Sequence, residues 1–179
     1  TDLLANARGD IEIICHVDEL LPTPLVHDKR VVYLTHEGGP RGMRAGINAA
    51  AAMATSEFLM KCDDHCAFAP GFDVELIRSH REDNWVQVPR RYSLDVERLA
   101  INRERPYRDY LYLCYPEKGK KHDDGMHGSE WWERQRERAN GHDIDDTPSH
   151  QGSCYFMTKH YFDKVLGGLS EVGYGQFPQ

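Results

Sequence analysis

The sequence predicts an α/β fold with a mostly parallel sheet flanked by helices. Three observations lead there. Residues 11–62 run in the rhythm strand, strand, helix, strand, the alternation that builds parallel sheets covered by helices. The apolar runs are short and β-branched, as buried strands are. Asp18 and Asp63 each directly follow such a run, and in parallel sheets ligands collect beyond the carboxyl ends of the strands. Two acidic groups are therefore expected on one rim.

The elements follow in order. Leu3, Leu4, Ala5 and Ala7 read as the end of a helix, closed by Gly9 and Asp10. Ile11 to Val17 is the first strand, and a loop with Pro22 and Pro24 leads to the second, Arg30 to Leu34, stopped by Gly38-Gly39-Pro40. Gly42 to Ala54 is Ala-rich, with Met43, Ile47, Ala50, Ala51 and Ala54 at helical spacing. Phe58 to Cys62 is the third strand, running into Asp63-Asp64-His65; Pro70-Gly71 turns the chain, and Val74 to Ser79 begins another helix. Beyond residue 80 the pattern weakens. Trp85 to Val88 reads as a strand, Trp131 to Arg138 as a polar helix, Gly152 to Met157 as a late strand, and His160 to Leu166 as a short helix ending at Gly167-Gly168.

The chain has 179 residues, with 22 Lys plus Arg against 29 Asp plus Glu and a net charge of −7. That length suits one domain spanning 1–179 with a real core. A 40% hydrophobic and 28% charged composition is that of a folded globular chain. The acidic balance argues against a general nucleic-acid binder. No apolar run approaches the roughly 20 residues of a membrane helix, and no secretory leader opens the chain. Cys15, Cys62, Cys66, Cys114 and Cys154 are odd in number and scattered, which favours reduced thiols and a cytoplasmic setting.

The strongest candidate site is Asp63-Asp64-His65. Read as a continuing strand, alternate residues share a face, so Asp63 and His65 converge on one metal and Asp64 faces away. A carboxylate with an imidazole suits Mn²⁺ better than Mg²⁺, which prefers oxygen ligands. The same residues could instead simply cap a turn. Zinc through Cys62 and His65 is disfavoured, since that odd separation sets them on opposite faces. Trp131 and Trp132 could stack on a sugar or pack a helix. His150-Gln151-Gly152 could line an acceptor pocket or form a plain loop. Lys118, Lys120, Lys121, His122, Asp123, Asp124 and His127 read as a polar loop, and Asp143, Asp145 and Asp146 as a solvated turn.

The run Gly42-Met43-Arg44-Ala45-Gly46-Ile47-Asn48-Ala49-Ala50, the strand, Asp63-Asp64-His65 and Pro70-Gly71 together resemble the family 2 glycosyltransferases and their GT-A, Rossmann-like fold. His65 departs from the usual Asp-x-Asp, and Asp-x-His followed by Cys66 looks like the variant in polypeptide N-acetylgalactosaminyltransferases. Gly152 to Met157, then Gly167-Gly168-Leu169-Ser170-Glu171, resembles the superfamily's second, acceptor-side landmark. The resemblance implies a nucleotide-sugar donor, a UDP-sugar first among candidates, and transfer to an unspecified acceptor. It implies that Asp63 and His65 hold the metal bridging the diphosphate, with Asp64 near ribose or donor sugar. Asp18 matches the position that contacts the base, or alternatively caps a loop; Arg44 would complement the phosphates, or is a surface helix charge; Asn48 could brace the loop. The resemblance also implies a chain incomplete at both ends. Its general base has no assigned residue, Glu171 being the nearest acidic group. The competing readings are a metal-dependent hydrolase or phosphotransferase on the same acidic rim, and a non-catalytic nucleotide-sugar-binding fragment.

Overall fold

The computed structural model describes residues 2–98, 100–119, 123, 125–138, 143–148 and 152–172. Lys120, Lys121, His122, Asp124, His150, Gln151 and residues 173–179 lie outside the described residues. The chain divides into two compact units, Thr1–Gln87 with Phe156–Gln179, and Val88–Tyr155.

The first unit contains helix α1 (Asp2–Asn6), strands β1 (Ile13–Val17) and β2 (Val31–Thr35), helix α2 (Met43–Met53), strand β3 (Phe58–Cys62) and helix α3 (Phe72–Ser79). Strands β1 and β2 are parallel, with Ile13 opposite Val31 and Val17 opposite Thr35. Strand β3 pairs with a late strand, β8 (Cys154–Thr158). Phe58 of β3 stacks on Phe156 of β8, ring centroids 5.2 Å apart, and His80 meets both rings edge-on. With Met157 and Phe162 buried alongside, this aromatic cluster is the core of the unit. The final helix, α5 (Tyr161–Leu166), is wound as a wide π-type turn.

Carboxylates stitch the ends of these elements together. Asp73, on the first turn of α3, accepts hydrogen bonds from the backbone N–H groups of Arg8 (3.1 Å) and Gly9 (2.7 Å). Glu12 does the same beyond α2, accepting from Thr55 N (2.6 Å) and Ser56 N (3.2 Å). Burial pushes the Asp73 carboxyl up, but the N–H groups pull harder, so it lies below its ordinary value.

The second unit carries two antiparallel ribbons, β4 (Leu94–Asp95) with β5 (Ala100–Ile101) and β6 (Leu111–Cys114) with β7 (His127–Glu130), and helix α4 (Trp132–Arg138). Its interior is polar. Asp109, whose side chain is wholly buried, takes two hydrogen bonds from Arg90 (2.8 and 2.7 Å) and lies 3.4 Å from Arg138 Nη1. Tyr110, 1% exposed, donates its hydroxyl to Asp145 at 2.6 Å. Burial, then Asp145, pushes the Tyr110 phenol up to about 12. Arg134 donates to the same carboxylate at 2.8 Å.

Four expectations are corrected here. The mostly parallel sheet does not form among the described residues: strands pair two by two, and the β4–β5 and β6–β7 pairs are antiparallel. The physical reason is length. Ribbon strands of two to four residues make few ladder bonds, and β4 (Leu94–Asp95) and β5 (Ala100–Ile101) are too close in sequence to pair other than antiparallel. The expected strand at 85–88 reduces to a bridge, in which Gln87 and Phe156 exchange hydrogen bonds of 2.8 and 2.9 Å. Asp145 is no solvated turn residue but the acceptor for Tyr110 and Arg134, and His127 belongs to β7.

Substituting Asp109→Ala leaves Arg90 and Arg138 facing one another around a vacated counter-charge. A loss of about 3 kcal/mol is expected in urea unfolding, with the loss concentrated in the second unit by hydrogen exchange. Because the Asp73 carboxyl is depressed in the folded state, its contribution is present above the unfolded value near pH 4 and lost as pH falls through the folded value. Asp73→Asn should therefore cost about 1–2 kcal/mol at pH 7. The gap between the two urea midpoints should narrow below about pH 4.

Candidate functional site

The site begins where β1 and β3 end. Asp18, the first residue after β1, accepts the backbone N–H of Arg41 at 2.8 Å through Oδ1 and that of Gly42 at 2.9 Å through Oδ2. It thereby secures the loop that starts α2. Gly42 enters the helix at φ 82°, ψ 166°, a backbone conformation that side-chain-bearing residues rarely adopt. This geometry matches the loop-capping alternative for Asp18, while each oxygen keeps a further acceptor position.

His16, on β1, lies beneath α2. A Cβ built on Gly46 would sit 2.2 Å from His16 Nδ1, so only glycine lets the helix approach so closely. The His16 ring also packs on His36, just past β2, at a centroid distance of 4.9 Å, and its Nε2 is 3.6 Å from Asp18 Oδ1. Burial holds the His16 imidazole below its ordinary value despite the attraction of Asp18.

Two residues further along α2, Asn48 clamps the chain after α5. Its amide donates to Leu169 O at 2.8 Å and to Glu171 Oε1 at 2.7 Å, and its Oδ1 accepts from Leu169 N at 2.8 Å. Arg44 Nη1 donates to Ser170 O at 2.9 Å. The expected bracing role of Asn48 is thus what the geometry shows, and Glu171 is tethered to it.

At the end of β3 the expected strand alternation does not occur. Cys66 N bonds Asp63 O at 3.3 Å, so Asp63 to Cys66 is a β-turn with Asp64 and His65 at its centre. The turn, rather than a shared strand face, brings the two groups near one another: His65 Nε2 lies 3.8 Å from Asp63 Oδ2. His65 Nδ1 is 3.1 Å from Asp64 Oδ1. With Nδ1 donating to that carboxylate, Nε2 is the nitrogen turned towards Asp63, the arrangement by which metal-ligating imidazoles are oriented. The other oxygen of Asp63 is paired with Lys61.

Two ligand atoms on adjacent octahedral corners at about 2.1 Å from a cation stand about 3 Å apart. A small side-chain rotation would bring Asp63 and His65 to that spacing. Among the described residues no group of three or more His, Cys, Asp and Glu forms a metal cage. A cation here would take its remaining ligands from substrate and water. Burial, then Cys66, pushes the Cys62 thiol up to about 11. Trp131 and Trp132 are each over a third exposed, with Trp131 edge-on to Tyr112.

Lys61, His16 and His36 were not singled out from the sequence. Lys61 was open to detection, since it stands two residues before Asp63 and period-two alternation places it on the same strand face.

An α/β chain with carboxylates and an imidazole just past its strand ends has the layout of proteins that bind ligands at the carboxyl edge of a sheet. The model of the family described as glycosyl transferase family 2 matches residues 3–166. The chain belongs to that family, and membership implies a GT-A fold and glycosyl transfer with binding of a nucleotide-sugar donor. Neither the search of curated proteins nor that of solved structures found a match. Among the described residues, no helix is long and apolar enough to cross a membrane.

Gly46→Ala is expected to lower stability by about 1–3 kcal/mol, as overpacking does. In a His16→Ala background the same change should cost clearly less in thermal melts, a coupling that places the strain between these two residues.

Proposed function

We propose that this chain, read as one GT-A-like domain, moves a sugar from a nucleotide-diphosphate donor, a UDP-sugar first, to an acceptor, using a divalent cation at Asp63 and His65. The observation that carries this reading is the 3.8 Å approach of Asp63 Oδ2 and His65 Nε2 on the turn leaving β3. Mixed oxygen and nitrogen ligation favours Mn²⁺ over Mg²⁺. The bound cation would supply Lewis acidity, neutralising charge on the departing nucleoside diphosphate.

The chain's own groups divide the remaining work. Asp64, whose side chain is fully exposed, orients His65 and offers its second oxygen to a ribose or sugar hydroxyl. Asp18, fixed by two backbone N–H groups, presents its remaining acceptor positions to N–H donors of the base. Arg44 sits on the first turn of α2, where the guanidinium and the helix N-terminus both favour phosphate. The Asp-x-His spelling, like that of polypeptide N-acetylgalactosaminyltransferases, is read here as a working variant of the metal-binding motif.

Thermal-shift titrations with UDP, GDP, CDP and ADP, each with and without Mn²⁺, test this. UDP at 100 times its dissociation constant should add about 2.7 kcal/mol of stability, only with Mn²⁺ present. Asp63→Ala and His65→Ala should each abolish that gain. An equal shift without metal, or one retained in Asp63→Ala, would sink the metal assignment.

A further inference from the structure

The Asp63 carboxylate is engaged on both sides: one oxygen faces His65, and the other forms an ion pair with the Lys61 ammonium. Lys61 belongs to β3, two residues before Asp63, and its ammonium reaches Asp63 Oδ1. Its side chain is only 12% exposed, against 29% for Asp63 and 78% for His65. The lysine is thus the inner partner and the imidazole the outer one. A buried ammonium keeps its charge at a cost unless a counter-ion stays near it, and Asp63 supplies one.

A divalent cation and an ammonium compete for the same anion. Two positive groups around one carboxylate repel, and a cation held by Asp63 and His65 would approach Lys61 across that carboxylate. We propose that Lys61 is a resident counter-cation for Asp63: it neutralises the metal ligand when no metal is bound, and weakens metal binding until an anionic donor arrives to share the positive charge. The diphosphate, carrying more negative charge than a single carboxylate, is the chemical class of ligand that can accommodate both cations together. Lys61 is then a positioning residue, acting through Asp63, and it couples metal occupancy to donor occupancy. This inference rests on the assignment of Asp63 and His65 as metal ligands.

The probe is Mn²⁺ alone, its free concentration followed by electron paramagnetic resonance, with the wild-type chain and Lys61→Gln, Lys61→Arg and Asp63→Ala. Thermal melts of each variant establish that it is folded. Lys61→Gln should bind Mn²⁺ about two- to fivefold tighter than wild type, the range a partly exposed ion pair contributes. Lys61→Arg, which keeps the charge, should stay near wild type, and Asp63→Ala should lose binding. Measured again with saturating UDP, the advantage of Lys61→Gln should shrink or reverse. Equal or weaker Mn²⁺ binding by Lys61→Gln, with binding still lost in Asp63→Ala, would overturn the role of Lys61 and leave the metal site standing. Absence of Mn²⁺ binding in both wild type and Lys61→Gln would overturn the two together.

Discussion

Backbone N–H groups at the starts of helices and loops have no partner within their own element, and in the first unit side-chain carboxylates take them up. Asp18 binds the N–H groups of Arg41 and Gly42, Asp73 those of Arg8 and Gly9, and Glu12 those of Thr55 and Ser56. Each ties together segments well separated in the chain, and each stands beside a loop bordering β1 or β3. Asp73 and Glu12 hold the chain where it enters β1 and β3, and Asp18 holds it where it leaves β1. Asp18 shows the consequence most directly, since it fixes the entry to α2.

Asp63-Asp64-His65 depends on local geometry of a different kind. Strand alternation would have carried Asp63 and His65 to one face through an extended chain, whereas the Asp63–Cys66 turn folds the backbone back and approximates the same two groups. Residues at the first and third positions of a tight turn are neighbours because the turn is compact. The turn also gives Asp64 a task that an extended strand would deny it, contact with the far nitrogen of His65. Lys61, still on the strand, keeps the alternation and reaches Asp63 from below.

The second unit reverses the usual order of core and surface. Its sequence, dense in Arg, Tyr, Asp and Glu, carries little periodic apolar signal, yet Tyr110 and Asp109 are among its most buried side chains. Charged groups occupy its interior because they are paired and hydrogen-bonded, with Arg90 and Arg138 on Asp109 and Tyr110 with Arg134 on Asp145. Arg90 also lies over the Tyr107 ring at 3.9 Å. Such a core is satisfied only when every member is in place.

The sequence by itself determined the elements whose signal is local. The first three strands, α2 with its alanines, the helix at 132–138, the late strand and the stop at Gly167 all stand within a few residues of where hydrophobic spacing put them. It also marked Asp63, Asp64, His65 and Asp18, which follow strands, while Arg44 and Asn48 entered through the family resemblance. Tertiary structure alone decided the pairing of β3 with β8, almost a hundred residues apart, the ribbons of the second unit, the burial of Asp109 and Asp145, and the close approach of Gly46 to His16. Those features rest on which distant groups neutralise or make room for one another, and residue spacing along the chain carries no record of that.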